Sequence, residues 1–306
     1  MYYYKIYGLY VEADYQFKEL FPIDKPLHID IYIKNTDLSH ILKPDHTPNA
    51  DDKFCHICDY KDNAITYIFP YQGVFIAKDA NTIQYYLTPS CSHIFATHFM
   101  LCFCFGALLR QRNTLALHGS GIIYKNKMLS ISGESGSGKS SLADSLLSKG
   151  GHFLADDAIA LSIETANNHT VFIANPTMPF RKLCIDALKD YDLSRLIKLE
   201  STEKNKYAMP ISKADFYNIK TPLDGIFIIE KASVKTPTIR EITGADKLTY
   251  ITKNLYQRKI YDNLGLKKEI FTKCILLANC VPVYVISRPL TGYTVDEQIQ
   301  LIEKVI

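Results

Sequence analysis

LHGSGIIYKNKMLSISGESGSGKSSLADSLLSKGGHFLADD, residues 117–157, decides how this chain is read. Its centre, GESGSGKS at 133–140, fits the pattern G-x-x-x-x-G-K-[ST]. TLALHGSGIIY (114–124) and KMLSISG (127–133) read as two strand-like runs separated by the polar turn Lys125, Asn126 and Lys127; the alternating MLSIS leads into the loop, and a segment with Leu142, Ala143, Leu146 and Leu147 on one helical face follows. Gly150 and Gly151 suit a left-handed helix end, after which HFLA reads as a strand. Strand, glycine loop, helix and strand predict a βαβ-like unit, and so an α/β domain with some parallel pairing. In such a loop Gly133, Gly136 and Gly138 let backbone N–H groups converge on phosphate oxygens, with Glu134, Ser135, Ser137 and Ser141 completing the cradle. Lys139 is placed to reach the terminal phosphates of a nucleotide such as ATP, and Ser140 to set its hydroxyl on Mg2+.

Asp156 and Asp157 close the strand after the helix, so a single crossover brings them beside the loop. Two carboxylates there can divide the work of phosphoryl transfer: one supports the metal and the other accepts the proton of an attacking hydroxyl. An acidic pair by itself is usually a solvated turn, so the spacing after the glycine loop carries the reading, not the charge. It implies an acceptor with a hydroxyl group.

Outward from this core, the chain's 306 residues suggest two domains at roughly 150 residues each. Residues 1–90 read as short strands in YYYKIYGLYVEA (2–13), HIDIYIKN (28–35), AITYIFPY (64–71), GVFIAKD (73–79) and TIQYYLT (82–88), with a hairpin-like turn at Asp79, Ala80 and Asn81. Residues 91–112 change to a helical period and connect this small β-rich domain to a second domain over 113–306. Farther on, DGIFIIEKA (224–232) and VPVYVISRP (281–289) read as strands, while ADKLTYITKNLYQRK (245–259) and KEIFTKCILLANC (268–280) read as helices. TVDE at 294–297 reads as a capping box for the last helix.

Lys and Arg total 35 against 32 Asp and Glu, a net charge of +3 without the basic stripe that nucleic-acid binding requires. The apolar run Phe99–Leu109 is about half of the roughly 20 residues a membrane span needs, so it predicts a buried helix. The start, MYYYKIYGLYVEADY, does not read as a secretion signal, which makes the cytoplasm the default expectation. The eight cysteines read as reduced thiols, with Cys55 and Cys58 flanking His56 in a loop and no second pair at zinc-finger spacing.

On the residues 117–157 the sequence resembles the HPr kinase/phosphorylase family, whose fold is similar to that of phosphoenolpyruvate carboxykinase. The resemblance implies a phosphoenolpyruvate-carboxykinase-like P-loop kinase domain after the β-rich segment. It implies Lys139 and Ser140 as nucleotide and magnesium residues, His118 as the active-site histidine and Asp157 as proton acceptor, with Asp156 supporting the metal or positioning Asp157. Where the family carries a glutamate magnesium ligand, this chain has NPTMPFRKLCIDAL (175–188), which keeps Arg181. KTPLDGIFIIE (220–230) has no arginine where the family places one for phosphorolysis. The layout, including KNKYAMP at 204–210, looks more like the HPr-kinase-related peptide kinases of lasso-peptide gene clusters. That likeness implies a serine-bearing peptide or small protein as partner, and by analogy a homo-oligomer.

Arg181, Lys206, Arg258 and Arg288 are the further cations that could neutralise a transferring phosphoryl group, with Arg181 first because it follows Pro179 in a returning segment. Two other readings compete with a peptide serine kinase. One is a kinase of an HPr-like protein or a free small hydroxyl compound. The other is a nucleotide-dependent regulatory ATPase, with IFIIE (226–230) as a hydrophobic strand ending in a catalytic glutamate. No NKxD or LSGGQ-like motif supports a GTPase or an ABC subunit.

Overall fold

The structure, a computed structural model, describes residues 1–42, 57–166, 169–184, 196–199 and 206–306. The chain divides into two units: residues 1–113, 182–210 and 259–266 form the first, and 114–181, 211–258 and 267–306 the second. The helix expected as a connector therefore lies inside the first unit, and two later segments return to it.

In the first unit, β1 (Tyr2–Ile6), β2 (Leu9–Ala13), β3 (Ile31–Asn35), β4 (Ile57–Lys61), β5 (Ala64–Phe69), β6 (Gly73–Lys78) and β7 (Thr82–Leu87) make a seven-stranded sheet in the order β1-β2-β3-β7-β6-β5-β4. The run at 2–13 is a hairpin, turned by Tyr7 and Gly8 at φ 56° and 78°. Positive φ at both central residues matches the twist of the flanking strands. Asp79 and Ala80 do the same between β6 and β7, at φ 56° and 58°. Cys58 lies in β4, opposite Tyr67, rather than in a loop, whereas Cys55 and His56 fall outside the described residues. The cysteines at 58, 91, 102, 104, 274 and 280 are free thiols.

α1 (His93–His98), a π-helical turn (Phe99–Cys104) and α2 (Phe105–Gln111) follow one another as a continuous helix. Ser92 caps it by accepting from Phe95 N at 3.1 Å. The segment is long and apolar enough to cross a membrane by composition, but 78% of it is buried within the protein. Phe95 and Phe99 pack edge-on against Phe69 of β5, with ring centroids 5.1 and 4.7 Å away. Burying each such ring stabilises the unit by roughly 1.5–3 kcal/mol. Arg110 is buried there as well, held by Asp62 at 3.0 Å and by Gly265 O at 3.1 Å.

The second unit is built on β8 (Leu115–His118), β9 (Ser120–Tyr124), β10 (Lys127–Gly133), α3 (Lys139–Ser148), β11 (His152–Ala155), β12 (Ala158–Ala166) and β13 (His169–Asn175). β14 (Phe180–Cys184), with β15 (Ile197–Leu199) and β16 (Lys206–Pro210) of the first unit, forms a separate three-stranded sheet. β17 (Thr221–Ala232), β18 (Thr238–Ile242), α4 (Gly244–Lys253), α5 (Arg258–Leu264), α6 (Lys268–Cys280), β19 (Val283–Pro289) and α7 (Val295–Glu303) complete the chain.

A nine-stranded sheet runs β11-β9-β10-β17-β13-β12-β8, and β19 with β18 extends it on the far side of β17. β10 and β19 both lie parallel to β17, which gives the parallel pairing expected from the βαβ pattern. Of the face read from the sequence, α3 buries Leu142, Ala143 and Leu146, while Leu147 is half-buried. It ends as expected at Gly150, φ 91°, where Gly151 N reaches Leu146 O at 3.0 Å and Gly150 N reaches Leu147 O at 3.1 Å.

Three further readings differ from the structure. TLALHGSGIIY is not one strand but two, β8 and β9, which pair with different neighbours. ADKLTYITKNLYQRK is not one helix: Asn254 caps α4 by donating from Nδ2 to Tyr250 O at 2.8 Å, and α5 starts only at Arg258. Thr294 makes no side-chain bond to the backbone of α7; its hydroxyl instead accepts from Gln298 Nε2 at 3.1 Å.

Candidate functional site

Strand β10 and its parallel neighbour β17 place Gly133 opposite Ile229. Gly133 has φ 136°, and a Cβ there would stand 2.4 Å from Ile229 O, so only glycine lets the chain leave the sheet at this point. Gly136 and Gly138 follow at φ 79° and 107°, and Ser137 N closes a turn on Glu134 O at 3.1 Å. α3 then begins at Lys139. Glu134, Ser135 and Gly136 are exposed, while Ser140 and Ser141 are half-buried in the first helical turn. Lys139 Nζ donates to Gly133 O at 2.7 Å and to Glu134 O at 2.9 Å, which folds the ammonium over the loop. Loop amides, helix N-terminus and lysine thus share one small volume, an arrangement suited to phosphate.

The acidic turn reaches the same edge of the sheet by a different route. β9 lies antiparallel between β10 and β11, so the latter two run in the same direction, roughly 10 Å apart by two strand spacings. Gly121 of β9 pairs with both Ser130 and Ala155, so the end of β11 stands level with Ser130, three residues before β10 ends at Gly133, and Asp156-Asp157 continue along that same edge. Two chain segments change neighbours here: Gly119 separates β8 from β9, and Asp156-Asp157 separates β11 from β12. A Cβ at Gly119 would stand 2.6 Å from Ile131 O, so glycine is required at the first crossing. The crossings touch, with Gly119 N on Asp157 O at 3.3 Å. Switch points at the carboxyl ends of strands are where open α/β sheets bind ligands.

Asp156 Oδ1 accepts from the buried Ser120 hydroxyl at 2.7 Å, which orients it. Asp157 has φ 68°, a conformation that Asp tolerates better than most residues. Its Oδ2 accepts from Tyr256 OH at 2.9 Å, and its Oδ1 lies 3.8 Å from His118 Nδ1. Because His118 Nδ1 is also 2.9 Å from the carbonyl oxygen of Asp157, that nitrogen carries the proton. Nε2 is then the ring's lone-pair atom in the neutral form, on a side chain 42% exposed. The His118 and Tyr256 rings stack at 6.3 Å and 14°.

Tyr256 was not foreseen. It sits in the break between α4 and α5, where the segment lies against β8: His118 N donates to Asn254 O at 2.7 Å and Tyr256 N to Ala116 O at 2.9 Å. Nothing local in NLYQ marks this, since the contact with Asp157 spans 99 residues.

The four candidate cations separate. Arg181 is buried and forms an ion pair with Asp144 on α3, so it braces the helix that follows the loop. Arg258 donates to Thr252 O at 2.9 Å, and Lys206 belongs to the first unit. Arg288, ranked behind Arg181 from sequence, reaches the loop: its Nε donates to Ser137 O at 2.7 Å.

No protein-family model matches the sequence, and no curated protein matches it. Among solved structures, the chain is similar to the HPr(Ser) kinase/phosphatase from Coxiella burnetii, at 14% identity over 62% of this chain and 88% of that one, with a TM-score of 0.31.

Proposed function

We propose that this chain is an ATP- and Mg2+-dependent phosphotransferase that phosphorylates a hydroxyl group, with the serine of a peptide as acceptor. The observation that carries the reading is the delivery of the glycine loop and the Asp156-Asp157 turn to one sheet edge, on either side of β9. The residues present fit a nucleotide. Gly133, Gly136 and Gly138 leave a cradle free of Cβ atoms at positive φ, and the Ser137 hydroxyl is buried there without a hydrogen bond. Ser140 and Asp156 offer the hard oxygen ligands that Mg2+ takes together with phosphates. When bound, that ion would offset the charge on the transferring phosphoryl group.

The chain's own residues then divide as follows. Loop amides and Lys139 hold the phosphates. Ser120 holds Asp156 in one orientation. Asp157, with Oδ2 accepting from Tyr256 OH and Oδ1 on the His118 side, takes the acceptor's proton. The layout of the sequence favours the C-terminal serine of a lasso-type precursor as the acceptor, ahead of an HPr-like protein or a free hydroxyl compound. Such a substrate places the reaction in the cytoplasm.

Incubating the protein with Mg-ATP and a precursor peptide, followed by mass spectrometry, tests this: a phosphorylated serine is expected, and Lys139→Ala should abolish it. An unmodified peptide counts against the substrate, and transfer retained by Lys139→Ala counts against the mechanism. A second reading has its own observation: Glu230 follows Ile229, the register partner of Gly133, so a carboxylate lies on β17 directly beside the end of the loop strand. Phosphate release to water alone, unchanged by any hydroxyl acceptor, would favour a regulatory ATPase.

A further inference from the structure

We propose that Arg288 is a second cation of the phosphate loop, fastening the loop's last peptide and adding positive charge beside the terminal phosphates of a bound nucleotide. This rests on the nucleotide-binding reading of the loop and deepens it. β10, β17 and β19 are successive parallel neighbours, so their carboxyl ends bring Gly133, Glu230 and Arg288 to a single edge. From there Arg288 Nε donates to Ser137 O at 2.7 Å and Nη1 to Pro289 O at 3.1 Å. Its Nε and Nη2 lie 3.3 and 3.7 Å from the point a Cβ on Gly138 would occupy. The guanidinium therefore borders the peptide that opens α3, where helix amides already concentrate positive charge.

Among the described residues no carboxylate pairs with Arg288, and its Nη2 meets no acceptor. A guanidinium beside a helix N-terminus with no counter-charge is a site prepared for an anion. Ser137 gives an independent sign. Its hydroxyl is buried without a hydrogen bond and lies 2.9 Å from where a Cβ on Gly133 would stand, so it points into the loop. A buried hydroxyl is costly to leave unsatisfied, which marks a place for a ligand oxygen. The same residue thus has its carbonyl tied by Arg288 and its hydroxyl turned inward, and the arginine sets the angle at which the cradle is presented. Lysine could supply the charge at this position but not the fork of donors that grips a carbonyl and an anion together.

Calorimetric titration of the full chain with Mg-ATP, ADP and AMP, alongside Arg288→Gln and Arg288→Lys and with thermal melts of all three proteins, tests the proposal. Arg288→Gln should weaken ATP about tenfold or more, ADP less and AMP least, as loss of a charge-assisted contact to outer phosphates requires. Arg288→Lys should recover part of the ATP affinity, and both variants should melt close to the parent. ATP binding unchanged in Arg288→Gln overturns the proposal alone. So does an equal loss of all three nucleotides that follows a lowered melting temperature, because that is a folding defect. A parent chain that binds none of the three overturns the nucleotide reading and the proposal with it.

Discussion

Replacing Asp157 separates what its side chain does for the fold from what it does for chemistry. The residue sits at φ 68°, and its backbone carbonyl holds His118 and Gly119, contacts that no side-chain change removes. The carboxylate adds the bond from Tyr256 OH at 2.9 Å. Asparagine tolerates the same backbone region and keeps an acceptor oxygen. Exchanging a charged acceptor, worth about 1.5–3 kcal/mol, for a neutral one worth about 0.5–1.5 costs on the order of 1 kcal/mol. Alanine loses the bond altogether and meets the full left-handed penalty of about 1–2 kcal/mol, so Asp157→Ala should be the least stable of the series. Glycine loses the bond but relieves the backbone, and should fall between them. Chemistry should follow a different order. Removing a general base slows transfer about 100- to 10,000-fold, or roughly 2.7–5.5 kcal/mol of barrier, whichever replacement is used. Thermal melts, nucleotide titration and single-turnover transfer on the three variants read these quantities independently. Asp157→Asn should bind nucleotide like the parent, melt close to it and transfer almost nothing. If it transfers within tenfold of the parent, Asp157 is not the base, and Nε2 of His118 becomes the atom to examine.

Gly133→Ala should cost about 1–3 kcal/mol for the strained backbone alone, because its Cβ would press on Ile229 O from 2.4 Å. A melting curve that coincides with the parent's would show that β17 can give way. Arg181→Met should destabilise by about 3–5 kcal/mol by leaving Asp144 of α3 without that partner, and Asp144→Leu in the same chain should recover part of that. Chemical denaturation checks it; an Arg181→Met chain of parental stability that no longer transfers phosphate would return Arg181 to the reacting group. The hairpin joining β9 and β10 carries a pH signature through Glu303 of α7. The Lys125 ammonium and then the Tyr124 hydroxyl hold its carboxyl below the usual 4.5, while Glu303 in turn pushes Tyr124 up to about 12. The Glu303 contribution is present above pH 4.5 and lost as pH falls through its lowered value; the Tyr124 contribution is present below pH 10 and lost between pH 10 and about 12. Melts across pH on Glu303→Gln should flatten both limbs, and an unchanged profile would dissociate the pair from stability.

What the sequence made legible is what the chain does with near neighbours. GESGSGKS is a local instruction: its glycines adopt the positive φ that their type permits, and the leucine face of α3 meets the sheet as its period requires. The turns at Asp79-Ala80 and Lys125-Asn126 are equally local, and both were readable. The break at Gly119 was not, although the glycine stood in plain view, because an apolar run of that length is equally compatible with one strand. What forbids a side chain there is Ile131 O, on a strand placed by its own pairings. Tyr256 and Arg288 follow the same logic at greater range, since their contacts with Asp157 and Ser137 span 99 and 151 residues. Arg181, ranked first because it follows Pro179 in a returning segment, pairs with Asp144 on α3, the helix that opens at the loop. The sheet order is the variable that ranks the cations. Once β19 is the outer neighbour of β17, the arginine at its carboxyl end must arrive at the loop, and no reading of SRP in isolation contains that step. The first unit poses the same problem in another form: segments 182–210 and 259–266 rejoin it through contacts that no run of local sequence announces. A site assembled at a switch point draws its glycine loop from one stretch of sequence and its orienting groups from strands ordered by the whole sheet, so the loop alone can indicate phosphate but not which side chains aim the acceptor.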